Sequence, residues 1–396
     1  MKKCSFCGRE YEEEQLVEGK QGYICAGCLY VGLEVIEGDL SEPLNRESKT
    51  TSKHSPSVDL LKPSELKARL DEFVIGQEEA KRLVTAEVYA HLKQNLSNDT
   101  VFKKHNMCLI GPSGSGKTYL IECLAKQLQI PFVVEDATSL SKTGYVGNSV
   151  STMLERLYYA AKGDLQLAQR GIIFLDEVDK LSSCFKSGVS KGDVGTTGIQ
   201  QELLKILEGS EVELTIHEGR SSYNVTFDTR HVLFIVGGAF VGLDEQKKKK
   251  QKSQNIGFGV CTTDSDNILL SPERTSHQDL IDYGLTPELV GRLSLLVDLK
   301  PLTEDEIRRV MTESKGSVVK SYIERFKREG VSLEFADETI AYLAKVVTQS
   351  KLGVRGIEGH LSLVLNQLFY QVLENDAASK EEQVLVIKPE HLHLLD

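Results

Sequence analysis

The sequence predicts an α/β protein with three parts: an N-terminal zinc-binding domain, a large P-loop domain with a parallel sheet, and a small, mainly helical C-terminal domain. Three observations lead to this prediction. An apolar strand runs into a glycine-rich loop and a helix at 106–124. A second apolar strand ends in two carboxylates at 176–177, and four cysteines form two C-x-x-C pairs near the N-terminus. Strands that alternate with helices are typical of a parallel sheet covered by helices.

The glycine-rich loop is the most specific of these signals. It reads G-x-x-x-x-G-K-T between a strand and a helix, which is the context that a phosphate-binding P-loop requires. Glycines let backbone N–H groups approach phosphates, and the helix N-terminus adds partial positive charge. The alternative is a chance Gly/Ser turn before a helix, which the Lys-Thr pair disfavours. The candidate nucleotide-binding residues here are Gly111, Pro112, Ser113, Gly114, Ser115, Gly116, Lys117, Thr118 and Tyr119.

The two carboxylates indicate hydrolysis as well as binding. Asp176 and Glu177 follow four apolar residues, Ile172 to Leu175. We expect Asp176 on the Mg²⁺ side and Glu177 as the base that orients the attacking water, with Lys117 on the β- and γ-phosphates and Thr118 on Mg²⁺. Adjacent strand residues point to opposite faces, which would let the two carboxylates take different roles. The alternative is an acidic strand end that is merely exposed to solvent.

The composition limits which classes of protein the chain can belong to. The chain has 396 residues, a net charge of −11 and 40% hydrophobic residues, which is ordinary for a folded protein with a core and disfavours extensive nucleic-acid binding. The start, MKKCSFCGRE, has no apolar segment of a signal peptide, and no apolar run approaches the roughly 20 residues of a membrane span. We therefore expect a cytoplasmic protein without a membrane or nucleic-acid partner, whose eight cysteines are thiols or metal ligands.

The first 44 residues carry a metal-binding pattern. Cys4, Cys7, Cys25 and Cys28 give C-x2-C-x17-C-x2-C, which supplies four thiolates for tetrahedral Zn²⁺. So short a unit cannot build a sufficient core, so we expect the metal to hold it folded. A redox pair or stray thiols are the alternatives. Four Lys/Arg against nine Asp/Glu in 1–44 favour a protein-binding or self-associating role over nucleic-acid binding.

Domain boundaries follow from composition. We expect a zinc-binding domain at 1–44, a flexible linker at 45–62, the large domain at 63–300 and the small domain at 301–396. Within the large domain, Val74 and Ile75 precede the P-loop and are candidates for an adenine pocket, or else simply core. Tyr145 and Val146 stand between glycines, as in a mobile loop that displays apolar groups, or in a turn with a buried tyrosine.

The second half of the large domain is less regular. We expect a helix from Ile199 to Glu208, a strand from Thr226 to Gly237 and an irregular segment at 243–277. That segment holds a lysine run, most simply a solvated face, and then Ile256-Gly257-Phe258-Gly259. An isolated apolar pair in polar surroundings indicates a contact site, unless Phe258 folds back onto its own domain. Helices at 303–329, 337–348 and 353–374 and a strand at 384–387 complete the small domain.

The order of motifs resembles the ClpX family of AAA+ protein unfoldases over nearly the whole chain. The matching motifs are LDEFVIGQ, GPSGSGKT, GYVG, FLDEVDK, QQELLKILEG, VGGAF, IGFG, PELVGRL and GVRG. The resemblance implies an AAA+ large domain and a homohexamer that uses ATP and Mg²⁺, with Zn²⁺ in its N-terminal domain. It also implies that protein substrates are unfolded and translocated through the ring into a ClpP-type peptidase, or remodelled as by a chaperone.

The resemblance implies roles for further residues. Val74 and Ile75 would contact adenine. Arg292 would be the arginine finger reaching the neighbouring subunit, and Arg355 the small-domain sensor arginine. The zinc domain would dimerise and bind adaptors or substrates. Two loops complete the set: Tyr145 and Val146 would grip substrate in the pore, and Ile256, Gly257 and Phe258 would dock on the peptidase.

One departure from the family concerns the pore entrance. The family usually carries Arg-Lys-His after QQELLKILEG, whereas this chain has a shorter segment that reads Gly219-Arg220-Ser221-Ser222. Two basic groups are missing, which puts recognition of a free C-terminal carboxylate in doubt.

Two rival functions share parts of this pattern. A nucleic-acid ATPase with a zinc ribbon would have the same P-loop and carboxylates, but the acidic zinc domain and the Gly-Tyr-Val-Gly loop weigh against it. A scaffold that binds nucleotide without hydrolysis is disfavoured by the intact Lys117, Glu177 and Arg292.

Overall fold

The structure is a computed structural model that divides into two compact units, 1–58 and 59–396. The predicted border between large and small domains, near residue 300, lies inside the second unit and stays a prediction. No helix among the described residues is long and apolar enough to cross a membrane. The residues described are 2–7, 9–11, 16–19, 22–25, 28, 61–97, 104–140, 149–182, 194–218, 221–254, 274–350, 353–375 and 384–392.

The first unit consists of two short antiparallel ribbons. Strand β1 (Lys2–Lys3) pairs with β2 (Glu10–Tyr11), and β3 (Leu16–Gly19) pairs with β4 (Gly22–Cys25). Cys4 and Cys25 are the buried side chains among the described residues of this unit. The described part therefore has thiols at its centre where a larger domain would have an apolar core.

The large domain is built on a five-stranded parallel sheet with strand order β11-β5-β10-β7-β6. Its central strands are almost wholly apolar and buried, as expected for strands covered on both faces. The strand bounds are β5 Asn106–Ile110, β6 Phe132–Asp136, β7 Ile172–Asp176, β10 Leu233–Gly238 and β11 Leu293–Asp298.

Helices cover both faces of this sheet. Alternate residues of β5 enter different apolar clusters: Met107 and Leu109 join one, whereas Cys108 and Ile110 join the other. This alternation follows from the two-residue period of a strand. The helix bounds are α1 Pro63–Asp71, α2 Glu78–Ser97, α3 Lys117–Leu128, α4 Val150–Ala160, α5 Leu165–Ala168, α6 Val194–Glu208, α7 Leu243–Gln254, α8 His277–Tyr283 and α9 Pro287–Val290.

Strand β10 lies between the strand that leads into the P-loop and the strand that ends in the carboxylates. All three are parallel, so their carboxyl ends meet at one edge of the sheet, where ligands of open α/β sheets bind. β10 ends in two glycines. A Cβ on Gly237 would lie 2.6 Å from a ring atom of Phe174, and one on Gly238 would lie 2.8 Å from a carboxylate oxygen of Asp179. The close approach of β10 to its neighbours therefore requires glycine at both positions.

The expected single strand from Thr226 to Gly237 is wrong. The chain instead forms a hairpin, β8 (Glu211–Glu218) with β9 (Ser221–Asp228), followed by a short 3₁₀ turn and then β10. The Asp228 side chain accepts a hydrogen bond from the backbone N–H of Arg230 at 2.9 Å, which ends β9. The segment 243–277 was expected to be irregular, but its first part forms a helix, α7 (Leu243–Gln254).

The small domain packs helices around two parallel strands. Phe326 is fully buried at its centre and meets Phe369 edge to face, with ring centroids 5.1 Å apart. The expected strand at 384–387 is confirmed as β13, and its partner β12 was not expected. The elements are α10 Glu304–Thr312, α11 Val318–Arg328, β12 Ser332–Phe335, α12 Asp337–Gln349, α13 Arg355–Asn375, β13 Val384–Ile387 and α14 Pro389–Leu392.

Candidate nucleotide and zinc sites

The P-loop joins β5 to α3 through two glycines with left-handed backbone. Gly114 has φ +75°, and Gly116, the residue before the first turn of α3, has φ +91°. An L-residue with a side chain is strained at such angles. The N–H of Gly111 donates to the carbonyl of Gly238 at 3.2 Å, which fixes the start of the loop to β10. The loop therefore opens at the N-terminus of α3, where an anion is favoured.

Lys117 and Ser115 supply polar groups inside this loop. Lys117 is 8% exposed, and its Nζ donates to the carbonyls of Gly111 at 2.7 Å and Pro112 at 3.1 Å. Burial lowers the pKa of Lys117, and the nearby charge of Arg355 also lowers it. The hydroxyl of Ser115 is buried and has no hydrogen-bond partner among the described residues. An ammonium and an unpartnered hydroxyl in a glycine loop fit the oxygens of a phosphate.

The hydroxyl of Thr118 lies against the end of β7. Its Oγ1 donates to Oδ2 of Asp176 at 2.8 Å, while the other oxygen, Oδ1, accepts the N–H of Glu177 at 2.9 Å. Sequence positions 58 residues apart thus meet across the carboxyl edge of the sheet. A hydroxyl and a carboxylate oxygen are the hard ligands that Mg²⁺ takes from protein, so this pair fits a magnesium ion bound to phosphates.

Glu177 lies outside the strand. Its φ of +59° is left-handed, and it precedes a short 3₁₀ turn that ends at Leu181. This turn, and not strand alternation, separates its carboxylate from that of Asp176. Glu177 forms an ion pair with Lys180, with about 40% of each side chain exposed. The hydrogen bond to Glu177 is the main cause that raises the pKa of Lys180.

Asp179 is a buried carboxylate that the sequence reasoning missed. It is 2% exposed and accepts the N–H groups of Ala239 at 3.3 Å and Phe240 at 3.2 Å. Burial raises its pKa. These bonds hold the chain just after β10 against the turn that follows Asp176 and Glu177. The second aspartate of the DEVDK motif was the signal available in the sequence.

Val74 and Ile75 are both buried, at 6% and 7% exposure. The carbonyl of Val74 accepts Nζ of Lys81 at 3.1 Å. Lys81 is only 2% exposed and also forms ion pairs with Asp71 and Glu78. The loop that carries Val74 and Ile75 is therefore fixed by a buried ammonium that the sequence reasoning did not select.

Gln77 ties this loop to the P-loop and to the chain entering the small domain. Its Nε2 donates to the carbonyls of Ser115 at 3.3 Å and Lys300 at 2.6 Å. Its Oε1 accepts the N–H of Lys300 at 3.1 Å. Gln77 was also missed, because these partners are distant in sequence.

The small domain reaches the P-loop through Gly353. A Cβ on Gly353 would lie 2.8 Å from Cα of Gly114, and its φ is +58°, so two independent constraints require glycine. Arg355, two residues on, is close enough for its charge to lower the pKa of Lys117. Arg355, the predicted sensor arginine, therefore follows closely after the residue at which the small domain approaches the P-loop.

Tyr119 faces a different direction from the rest of the candidate nucleotide set. Its side chain lies against Cys123 and against Ser314 and Gly316, in the turn between α10 and α11. Burial raises the pKa of its phenol. The structure therefore places the Tyr119 side chain at the contact between the large and small domains and not on the phosphate side of the site.

Arg292 lies between α9 and β11 and is 52% exposed. Its Nε and Nη2 donate to Oε1 of Glu208, the last residue of α6, at 2.9 and 2.5 Å. Among the described residues its side-chain partner is thus Glu208 and not the P-loop.

The four N-terminal cysteines converge. The Sγ atoms of Cys4, Cys7, Cys25 and Cys28 all lie within 4.8 Å of one another, and those of Cys7 and Cys25 are 3.8 Å apart. Zn–S bonds of about 2.3 Å in a tetrahedron place sulfur atoms about 3.8 Å apart. Hydrogen bonding from the backbone of Cys7 is the main cause that lowers the pKa of Cys4 to about 6. The donor set and its spacing fit Zn²⁺.

Two predicted loops fall outside the described residues. They are the substrate-gripping pair Tyr145 and Val146, and the docking residues Ile256, Gly257 and Phe258. Gly219 and Arg220, which follow β8 and precede β9 in the sequence, also lie outside them.

Comparison with known proteins identifies two families along the chain. Residues 2–38 match the ClpX C4-type zinc finger, and residues 103–296 match the AAA domain of the Cdc48 subfamily.

Full-length relatives agree with these matches. A Wolinella succinogenes protein named ATP-dependent Clp protease ATP-binding subunit ClpX 2 is 37% identical over 387 residues, covering 96% of this chain and 92% of the relative. Proteins named ATP-dependent Clp protease ATP-binding subunit ClpX from Treponema denticola and Bacteroides thetaiotaomicron are 38% and 35% identical. They cover 92% and 94% of this chain and are themselves covered over 89% and 91% of their length. The chain therefore belongs to the ClpX family of AAA ATPases.

Proposed function

We propose that this protein is an ATP-driven protein unfoldase that acts as a homohexamer, feeding substrates to a Clp-type peptidase or remodelling them as a chaperone. One observation carries the proposal: the Thr118–Asp176 hydrogen bond beside the P-loop, with Glu177 next to it. It occurs in a chain whose relatives are named ATP-binding subunits of ATP-dependent Clp proteases.

The proposed reaction is transfer of the terminal phosphoryl group of ATP to water. Lys117 leaves the carbonyls of its own loop and contacts the β- and γ-phosphates, with the N–H groups of the loop around them. Thr118 and Asp176 would hold Mg²⁺, which supplies positive charge against the phosphates when bound. Glu177 releases Lys180 and orients the attacking water. The pairing with Lys180 would keep Glu177 unproductive until nucleotide is bound.

Binding and sensing groups come from both domains. Val74 and Ile75 line the adenine side in this proposal, held by Lys81 and Gln77. Arg355 approaches from the small domain, next to the contact between Gly353 and Gly114. Because Gln77 also binds Lys300, a nucleotide that moves the loop would move the entry to the small domain. Hydrolysis would then change the angle between the two domains.

We propose that two predicted loops, which lie outside the described residues, grip the substrate and dock on the peptidase. Tyr145 and Val146 would grip a polypeptide in the axial pore, because an aromatic face is a large gripping surface. Ile256, Gly257 and Phe258 would dock on the peptidase. The shortened segment at Gly219 and Arg220 lacks two basic groups of the family pattern, so the substrates proposed here are not selected by a free C-terminal carboxylate alone.

The zinc unit is proposed to bind adaptors or substrates. Zn²⁺ held by Cys4, Cys7, Cys25 and Cys28 would replace an apolar core. The acidic balance of 1–44 favours protein partners over nucleic acid. Reduced thiols of this kind suit the cytoplasm, which is the proposed location.

The test of this function is the response of ATP turnover to different polymers. We expect an unfolded polypeptide to stimulate ATP hydrolysis by the assembled protein and double-stranded DNA to leave it unchanged. Stimulation by DNA but not by unfolded protein would favour a nucleic-acid ATPase. Undetectable turnover in the assembled ring would favour a nucleotide-binding scaffold.

A further inference from the structure

Helix α6 connects the catalytic carboxylates of the chain to Arg292. Near its middle, the buried Gln200 uses both ends of its amide. Its Nε2 donates to the carbonyl of Leu181 at 2.9 Å, at the end of the turn that begins at Glu177. Its Oε1 accepts the N–H of Thr286 at 3.0 Å, at the start of the segment that leads to Arg292. One side chain that is 3% exposed therefore spans the two functional segments.

The end of α6 holds Arg292 by backbone and side chain. Asn106, which is 1% exposed, donates from one amide nitrogen to the carbonyls of Leu207 at 3.1 Å and Arg292 at 3.2 Å. This fixes the backbone of Arg292 beside the last turn of α6. Glu208 then accepts Nε and Nη2 of Arg292 on a single oxygen, at 2.9 and 2.5 Å.

The geometry of this ion pair leaves the guanidinium able to bind another group. A guanidinium has five N–H donors in a rigid plane, and Glu208 takes two of them, on one edge. Among the described residues no other side chain takes the remaining donors, so they can bind an oxyanion. The two side chains are 52% and 41% exposed, and ion pairs so exposed contribute little to folding stability. The contact therefore matters more for where the arginine points than for holding the fold together.

We propose that Glu208 is a positioning residue that aims Arg292 at the nucleotide of the neighbouring subunit, and that Gln200 keeps this end of α6 in register with the carboxylates of its own subunit. The inference rests on the proposed function, in which Arg292 acts on the neighbour. It adds Glu208, a residue of the subunit that donates Arg292. The effect of Glu208 on ATP turnover is expected in the neighbouring subunit, which receives that arginine.

The first test compares single variants of the full-length protein. Glu208→Ala should lower kcat for ATP about 10- to 100-fold, because a misplaced catalytic group loses rate on that scale. Its KM for ATP should stay within about twofold, since the subunit's own nucleotide site is intact. Glu208→Gln should lose less, because its amide oxygen still accepts from Arg292. Glu211→Ala is the matched control: Glu211 is three residues further on, 64% exposed and paired with Arg230, and its loss should leave kcat unchanged.

The second test asks in which subunit the defect acts. Rings assembled from Glu208→Ala and Glu177→Gln chains should regain activity, because Glu177→Gln subunits donate a correctly held Arg292 to neighbours with an intact Glu177. Rings of Glu208→Ala and Arg292→Ala chains should not, since every interface has a faulty finger. A defect that is merely structural would lower the thermal midpoint and would not be complemented.

Two outcomes overturn the inference in distinguishable ways. If Arg292→Ala is inactive but Glu208→Ala turns over ATP like Glu211→Ala, Glu208 has no positioning role while the function proposed for Arg292 stands. If Arg292→Ala itself retains full turnover, the role of Arg292 fails, and the role of Glu208 fails with it.

Discussion

At the scale of single residues, one left-handed residue, Glu177, gives the two carboxylates at the end of β7 different surroundings. Asp176 stays on the strand, and both of its oxygens accept hydrogen bonds, from Thr118 and from the N–H of Glu177. Glu177 leaves the strand at φ +59° and pairs with Lys180, and about 40% of each side chain is exposed to solvent. One acid is thereby suited to hold a metal and the other to accept a proton.

The substitution Glu177→Gln tests this division. An amide cannot accept the proton of the attacking water, so kcat should fall about 10²- to 10⁴-fold. ATP affinity should be retained, because Lys117, Thr118 and Asp176 are unchanged. Nucleotide binding and steady-state turnover, measured on the same preparation, check this, with Lys117→Ala as the variant that should lose binding itself. Near-normal turnover in Glu177→Gln would remove Glu177 from the role of base.

Residues of the site were predictable from sequence where their signal is local. The P-loop and the Asp-Glu pair are defined by neighbours along the chain, and in the structure Thr118 donates a hydrogen bond to Asp176. Gln77 and Glu208 were not predictable in this way. Gln77 meets a partner 223 residues away, and Glu208 meets Arg292 84 residues away. The fold brings each of these residues to its partner, so no spacing in the sequence predicts the contact.

At the scale of elements, a buried polar cluster joins α2 to the turn before β10. Nδ2 of Asn95 lies 3.0 Å from Nε2 of His91 and donates to the carbonyl of His231 at 3.1 Å. Burial is the main cause that lowers the pKa of His91 to about 4, and the nearby Lys104 lowers it further. His91 therefore stays neutral in the folded protein at pH values where it is protonated in the unfolded chain.

This cluster predicts a pH dependence of stability. The pKa of His91 is 6.5 in the unfolded chain and about 4 when folded, so the unfolded state binds the extra proton between these values. The contribution is complete above pH 6.5 and is lost progressively as the pH falls towards 4. Between pH 7 and pH 5 the loss from His91 is about 2 kcal/mol.

Urea denaturation at pH 7 and pH 5 measures this loss against a matched variant. His91→Gln keeps a hydrogen-bonding amide next to Asn95 but cannot titrate. Its free energy of unfolding should fall less than that of the unchanged protein between the two pH values, by about 2 kcal/mol. Equal falls in the two proteins would show that His91 is not held neutral.

The zinc unit predicts that metal and folding are coupled. Four sulfur atoms within 4.8 Å of one another should bind one Zn²⁺ per chain. A chelator should unfold residues 1–44, seen as rapid proteolysis there, and should leave basal ATP turnover intact because the predicted linker at 45–62 uncouples the two parts. Protein purified without chelator that contains no zinc would contradict this prediction.

The hairpin shows why one element of the fold was missed. Both of its strands alternate polar and apolar residues, and Leu214, Ile216 and Phe227 are fully buried. That alternation is the usual signal for a hairpin around a short turn. The apolar run of β10 is the stronger signal in the sequence. The break between β9 and β10 is made by the side chains of Asp228 and Thr229, which bond to the backbone of Arg230 and Ser210.

At the scale of the whole molecule, the candidate nucleotide site draws on distant parts of the chain and, in the proposed ring, is completed by a second copy. Gly353 brings the small domain to the P-loop. Glu208 holds Arg292 through two of the five N–H donors of the guanidinium. In the proposed ring, each chain gives its Arg292 to a neighbour. Nucleotide would then control both the angle between domains and the contact between subunits.

The docking role predicted for Ile256, Gly257 and Phe258 leads us to expect a separation of activities. Phe258→Ala should leave ATP turnover and unfolding intact while abolishing ATP-dependent degradation with a ClpP-type peptidase, because only docking is lost. Turnover, unfolding and degradation measured on one preparation check this. A drop in thermal stability together with ATP turnover would instead indicate that Phe258 packs on its own domain.

The central claim is that ATP hydrolysis by this chain unfolds proteins. The most direct measurement is the loss of fluorescence of a stably folded fluorescent protein that carries an unstructured extension at either terminus, with ATP and a ClpP-type peptidase. The account predicts loss of fluorescence that requires ATP and is absent with Glu177→Gln. Fluorescence that stays constant with both extensions, while ATP is hydrolysed at a normal rate, would contradict it.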